Sequence, residues 1–234
     1  MYLPSFTPIF EKNPHGYFLP ASTTKIITAL VARDLYEPDR VITVKRDSVE
    51  GQSMGLVRGE KITAEYLLYG TLIHSGNDGA YALADEYGFD RYINLMNKKT
   101  SDLKMTSSAF KNPAGLDRTG QHTSPFDLAL AARALIKDKY LAKIVSIKNI
   151  SISDTEFKYF HQLSNVNQLL GELQGIGGLK TGYTEEAGEN LVSFYKQGSN
   201  TYIIVVLKSE DRFKDTTTIV QWLNNNVIYK NSIP

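Results

Sequence analysis

Pro20-Ala21-Ser22-Thr23-Thr24-Lys25-Ile26-Ile27-Thr28-Ala29-Leu30-Val31-Ala32 is the segment on which the fold of this chain turns. Pro20 ends extended structure, and Ser22 is placed to cap a helix. Ile26, Ile27, Ala29, Leu30, Val31 and Ala32 make that helix apolar nearly all round, which marks it as buried between layers. Its first turn nevertheless carries a hydroxyl and an amine, costly to bury unless a site uses them. Ser22 and Lys25 lie three apart and share a helix face. A serine hydroxyl is a poor nucleophile until a neighbour takes its proton. A lysine amine can take it when neutral, a state that burial and a second cation favour. The positive helix end also favours negative charge developing near Ser22. Read alone, the same residues also fit a serine cap followed by a solvated lysine.

Working outward, two more polar clusters follow in order. Ser75-Gly76-Asn77-Asp78 comes after a helical run ending at Ile73-His74. A tight turn there can aim Ser75 and Asn77 into one cleft, the first to relay a proton and the second to hold a substrate amide. These residue types also make ordinary capping turns. Lys180-Thr181-Gly182-Tyr183 closes a strand approached through Gly175-Ile176-Gly177-Gly178. An edge strand there can pair with an extended peptide. Lys180 and Thr181 would bind a terminal carboxylate, and Gly182 would let the substrate approach the backbone. Lys180 is also the candidate second cation for Lys25. The alternative is an exposed lysine on a hairpin.

Elsewhere the pattern is helical between 41 and 149. Thr63 precedes Leu67, Leu68, Leu72 and Ile73; Asn77 or Asp78 can cap a helix through Ala80, Leu83 and Ala84. Asp90 can open another through Tyr92, Ile93, Leu95 and Met96. Ser124-Pro125-Phe126-Asp127 is a helix start with a cap, a first-turn proline and an acid. After Ile150 the period shifts to strand, over 157–160, 176–183, 189–195 and 202–207. An amphipathic helix with Ile219, Val220, Trp222 and Leu223 ends the chain. The expected fold class is α+β: one domain with a sheet-and-helix part (1–40 and 150–234) and an inserted, mostly helical subdomain (41–149).

The 234 residues can bury a sizeable core. With 26 Lys+Arg against 25 Asp+Glu and no basic block interleaved with aromatics, nucleic acid is not an expected partner. No run of 18 apolar residues suggests a membrane span, and Met1-Tyr2-Leu3-Pro4-Ser5 has no secretory-signal pattern. Zero cysteines exclude disulfides and thiolate chemistry. His15, His74, His122 and His161 show no metal-ligand spacing; His74 is expected to pack or hydrogen-bond beside Ser75. Glu185-Glu186 reads as a solvated turn.

These motifs resemble the S-x-x-K, S-x-N and K-T-G elements of the serine penicillin-recognising enzymes. Within them the chain is similar to the D-alanyl-D-alanine carboxypeptidases of low molecular mass, also through Leu67-Leu68-Tyr69-Gly70, Asn112-Pro113-Ala114-Gly115-Leu116-Asp117, Asn165-Val166-Asn167-Gln168-Leu169-Leu170, Gly178-Leu179, Thr184 and Arg212-Phe213. The resemblance implies a β-lactamase/transpeptidase-like fold with an antiparallel sheet flanked by helices. It implies Ser22 as nucleophile, Lys25 as base and Ser75 as proton relay, with Asn77, Lys180, Thr181, Gly182 and Tyr183 on the substrate. The backbone N–H groups of Ser22 and Tyr183 would form the oxyanion hole, and Arg212 would support the carboxylate pocket or a helix-start ion pair. Implied partners are peptidoglycan peptides ending in D-Ala-D-Ala and β-lactams, with no metal or organic cofactor and an extracytoplasmic location, any signal or anchor lying outside this chain. A strand normally precedes Pro8 in such proteins, and little chain is left here to form it. Lys104 stands where glycine is usual and is expected to be strained by about 1 kcal/mol if left-handed.

D,D-endopeptidase, β-lactamase and non-catalytic binder stay open as alternatives. No Glu between Ser75 and Lys180 has Asn four residues on, the pattern of a class A deacylation base, so β-lactamase is disfavoured.

Overall fold

The computed structural model describes residues 1–227. The segment quoted first forms a 3-10 turn over Ala21–Thr24 that runs into helix α1, Lys25–Leu35. Residues Lys25 to Ala32 are all buried, the environment that an all-round apolar helix requires. Around α1 pack α2 (Ala64–Leu72), α3 (Asn77–Tyr87), α4 (Phe89–Asp102) and α5 (Pro125–Lys137). A two-stranded pair, β1 (Val41–Thr43) with β2 (Lys61–Thr63), precedes α2, and the short α6 (Lys139–Ile144) follows α5.

The helix starts follow local chemistry. Thr63 caps α2 by accepting the Tyr66 N–H, and Ser124 caps α5 by accepting the Asp127 N–H. Asp90 lies in the first turn of α4, after Gly88 at the cap. Two expected caps are corrected. Ser22 sits inside the 3-10 turn and caps nothing. Asn77 and Asp78 are both inside α3, whose cap position is Gly76. Asn77 is committed to Lys25 and Glu50, and Asp78 to residues 53–56 together with the N–H of Gly79 in its own helix.

The expected strand over 157–160 is also corrected. Strands β3 (Asn149–Ser153) and β4 (Phe160–Ser164) pair antiparallel, and most of 157–160 is the turn between them. Phe157 has φ 56° and is exposed. Three aromatics in a short window signalled a strand, but Asp154 decides the local backbone. Its carboxylate accepts the N–H groups of Glu156, Lys158 and Tyr159 and closes a loop.

The main sheet is antiparallel in the order β5 (Ile176–Thr184), β6 (Gly188–Gln197), β7 (Asn200–Ser209). Strand alternation divides its side chains between two cores. Ile203 and Val205 face the helical cluster built on α1, whereas Tyr202, Ile204 and Val206 join Val220 and Leu223 of α7, Arg212–Asn226. The sheet is therefore a middle layer, with α5 packed on β7 from the helical side and α7 from the other. Met1–Leu3 adds to the outer edge of β7: Leu3 N–H donates to Thr201 O, and Ile203 N–H to Met1 O, both at 2.8 Å. The short N-terminal stretch thus does extend the sheet. Residues 228–234, the end of the expected sheet-and-helix part, lie outside the described residues. Lys104 has φ 64°, so the left-handed condition for its strain is met.

Candidate active site

Strand β5, paired on one edge only among the described residues, packs against the 3-10 turn, and this juxtaposition builds the site. Gly182 makes it possible. A Cβ there would lie 3.0 Å from the Ser22 nitrogen and 3.1 Å from both the Pro20 oxygen and the Ala21 Cβ. The glycine was expected to admit substrate; it also admits the turn that carries Ser22. Asn190, across from Gly182 on β6, ties the same turn down. Its side-chain amide donates to Leu19 O at 3.0 Å and Pro20 O at 3.2 Å and accepts from Lys208 N–H at 2.8 Å. Nothing in the motif reading pointed to Asn190, because its partners are distant in sequence.

Lys25 has no exposed surface. Its Nζ lies 2.7 Å from Ser22 Oγ, 2.6 Å from Asn77 Oδ1 and 3.1 Å from Ala114 O. Two of these three neighbours, an amide oxygen and a carbonyl, can only accept. A neutral amine has two hydrogens and one lone pair, so both hydrogens are committed and the lone pair is left for the Ser22 hydroxyl. Burial lowers the Lys25 pKa to about 7, against the opposing pull of Asp78. The arrangement can therefore take a proton from Ser22 near neutrality.

Asn77 was expected to hold a substrate amide. Here its Oδ1 is on Lys25 and its Nδ2 donates one of its two hydrogens to Glu50 O at 2.6 Å, so the other hydrogen can still meet a substrate carbonyl. The carbonyl on Lys25 is delivered by the 112–116 loop. Asn112 Oδ1 accepts the N–H groups of Ala114, Gly115 and Leu116, and Gly115, at φ 89°, lies so close to the Ala21 carbonyl that a Cβ would overlap it. The resemblance covered this stretch, but its position on Lys25 is a tertiary fact.

Ser75 lies between α2 and α3 with φ 62°, a conformation costing about 1 kcal/mol for a non-glycine residue. Its Oγ accepts from Lys180 Nζ at 2.8 Å. Lys180 is 2 % exposed and donates also to Thr181 O. Burial pushes the Lys180 pKa well down, with further depression from Lys25 and Arg212. The Lys25–Lys180 repulsion expected from sequence thus bears on Lys180; burial is what lowers Lys25. Thr181 is buried beside it, whereas Tyr183 is 60 % exposed at the strand end. Arg212 starts α7, and its guanidinium donates to Gly182 O at 2.9 Å while its backbone N–H donates to Glu189. His74 lies 2.9 Å from the Gln52 amide through Nε2.

The candidate site thus joins a serine hydroxyl on one buried lysine, a second serine hydroxyl on another, and strand β5 beside both. The family model for D-alanyl-D-alanine carboxypeptidase matches residues 8–211. The chain belongs to the D-alanyl-D-alanine carboxypeptidase family. It is 33% identical over 207 residues to the carboxypeptidase DacF of Bacillus subtilis, covering 85% of this chain and 53% of that protein. With DacD of Escherichia coli it shares 30% over 233 residues, 92% of this chain and 59% of that one. The chain spans a little over half the length of these relatives. Among solved structures it is similar to the Streptomyces K15 DD-transpeptidase (TM-score 0.90, 29% identity, 95% of this chain and 94% of that chain). It is also similar to DacD of Francisella tularensis (TM-score 0.89, 26% identity, 100% and 72%). The α+β fold of this D-alanyl-D-alanine carboxypeptidase family member is thus the penicillin-binding DD-peptidase fold.

Proposed function

We propose that this chain carries a serine D-alanyl-D-alanine carboxypeptidase activity that β-lactams block by acylation. The observation that carries the reading is the set of partners on Lys25, which reserves its lone pair for Ser22. The peptide lies along the free edge of β5 by strand addition. Its terminal carboxylate meets Lys180 and Thr181, and an incoming anion favours the Lys180 cation that burial alone disfavours. Ser22 Oγ attacks the carbonyl of the penultimate D-Ala as its proton passes to Lys25. The oxyanion falls to the N–H groups of Ser22 and Tyr183.

Collapse breaks the C–N bond. The leaving amine takes a proton through Ser75, which Lys180 holds in place. Water then hydrolyses the ester on Ser22, releasing the shortened peptide, and the proton returns to the hydroxyl. Asn77 orients Lys25 through Oδ1 and offers its second Nδ2 hydrogen to the substrate amide, and Arg212 holds the β5 backbone at Gly182. The substrate, a peptidoglycan stem, places this chemistry outside the cytoplasmic membrane. No helix among the described residues is long and apolar enough to cross one.

The test is intact-protein mass spectrometry after benzylpenicillin, with peptide mapping. An adduct on Ser22, absent in Ser22→Ala, supports the reading; a full-rate adduct in the variant overturns it. Peptides ending in a free acid should release D-Ala faster than their terminal amides. The likeness to the K15 DD-transpeptidase favours one second reading, transfer of the acyl group to an amine. Adding an amine acceptor separates them: a new peptide product in place of hydrolysis identifies transfer.

A further inference from the structure

The mechanism leaves one buried titratable pair unused. His161 on β4 and Glu60, just before β2, are both buried, with Nε2 and Oε1 2.8 Å apart. Their neighbours locate the protons. His161 Nδ1 lies 3.0 Å from Met54 O, which can only accept, so Nδ1 carries a hydrogen. The other Glu60 oxygen accepts the Val57 N–H at 3.0 Å. A neutral ring would then turn the Nε2 lone pair onto a carboxylate oxygen. The short contact therefore holds a proton, as imidazolium against carboxylate. The charged groups bearing on the ring are Glu60, from the approach to β2, and Asp78, from α3. Glu60, chiefly through its hydrogen bond, outweighs burial and raises the imidazole pKa above its ordinary 6.5.

Met54 lies in a strap, residues 50–57, that has no regular structure. Asp78 pins one side of it, accepting the N–H groups of Met54, Gly55 and Leu56 at 3.0 Å and the Ser53 hydroxyl at 2.5 Å. The His161–Glu60 pair pins it through Met54 O and Val57 N–H. The strap in turn aims Asn77: Gln52 O accepts its backbone N–H at 2.7 Å, and Glu50 O accepts its side-chain N–H at 2.6 Å. Asn77 Oδ1 then takes one hydrogen of Lys25.

We propose that His161 and Glu60 are positioning residues for Lys25, acting through the 50–57 strap and Asn77. The inference rests on the reading of Lys25 as the base for Ser22. As pH rises and His161 loses its proton, the lone pair meets the carboxylate, the clamp opens and Asn77 loses its aim. Lys25 must be neutral to act while His161 must be charged, so acylation gains as Lys25 loses its proton, near pH 7, and is lost on the alkaline side as His161 loses its own.

Glu60→Gln separates this from simple packing. Its amide NH2 can donate to a neutral Nε2 while Nδ1–H stays on Met54 O, so the clamp no longer titrates. The rate of acylation by a fluorescent penicillin would be followed between pH ~5.5 and ~9.5, together with hydrogen-exchange protection of residues 50–57 corrected for intrinsic exchange. The wild type should lose roughly tenfold in rate on its alkaline limb and lose strap protection in parallel. Glu60→Gln should keep both, and His161→Leu should lack both at every pH. If Ser22 is acylated and wild type and Glu60→Gln share one pH profile, the positioning role is wrong and the catalytic reading stands. If nothing is acylated, the catalytic reading and this inference both fall, and exchange reports only whether the clamp titrates.

Discussion

At Lys25 the protein carries a fully buried amine whose pKa burial lowers from 10.5 to about 7. The chemical use of that amine has a stability signature with a definite sign. A folded-state pKa below the unfolded value means that, between pH 7 and about 10, the unfolded chain binds the extra proton. Stability therefore rises with pH in that window, and the penalty is complete below it. Relative to Lys25→Met, the wild type should gain about 1.4 kcal/mol per pH unit between pH 7 and 10, read from urea unfolding at several pH values. Parallel pH dependence in the two proteins would mean that Lys25 is not depressed. The same variant should slow acylation about a thousandfold, the scale of a lost general base.

Among the elements, β5 and the 3-10 turn set the distance between Ser22 and the β5 backbone. Gly182→Ala would place a methyl 3.0–3.1 Å from the Ser22 nitrogen, the Ala21 Cβ and the Pro20 oxygen, tighter than ordinary contact, so the turn must shift by a few tenths of an ångström. Acylation should fall roughly tenfold, since misplacement by about 1 Å can cost a hundredfold, with the far-UV spectrum unchanged. An unaltered rate would show that the turn can yield without moving Ser22. This contact was not visible in the motif; Gly182 read as room for a ligand because its other neighbour lies 160 residues away. The turn between β3 and β4 was lost for a related reason. Phe157, Tyr159 and Phe160 suggested a strand, whereas the carboxylate of Asp154 bends the backbone they sit on.

For the whole molecule, the middle sheet is what brings the early and late parts of the chain to one cleft. Asn190 is the fastening point, buried completely and holding two carbonyls before Ser22 and the N–H of Lys208. Asn190→Ala leaves those groups without their partner. It should cost about 2–4 kcal/mol, the scale of several unmade buried hydrogen bonds, and lower acylation beyond the fraction unfolded. A melting temperature and rate both equal to wild type would show that water replaces the amide at no cost. The same sheet separates two cores, so α5 serves it as fully as α7 does.

The sequence by itself determined the buried character of α1, the cap at Ser124, the three final strands and the candidacy of Ser22, Lys25, Ser75, Lys180 and Thr181 for one site. These rest on periodicity, on end-group chemistry and on residue types spaced within one turn or one strand, all local properties. Tertiary structure alone decided that Asn77 serves Lys25, that Ala114 O and Asn112 complete its shell, that Gly182 admits the turn and that Asn190 holds it. It alone placed His161 against Glu60. Each of these is a contact between segments far apart in the chain. Hydrogen-bond geometry and close packing select such contacts only after the core has brought the segments together, and neither leaves a period or a local motif to read.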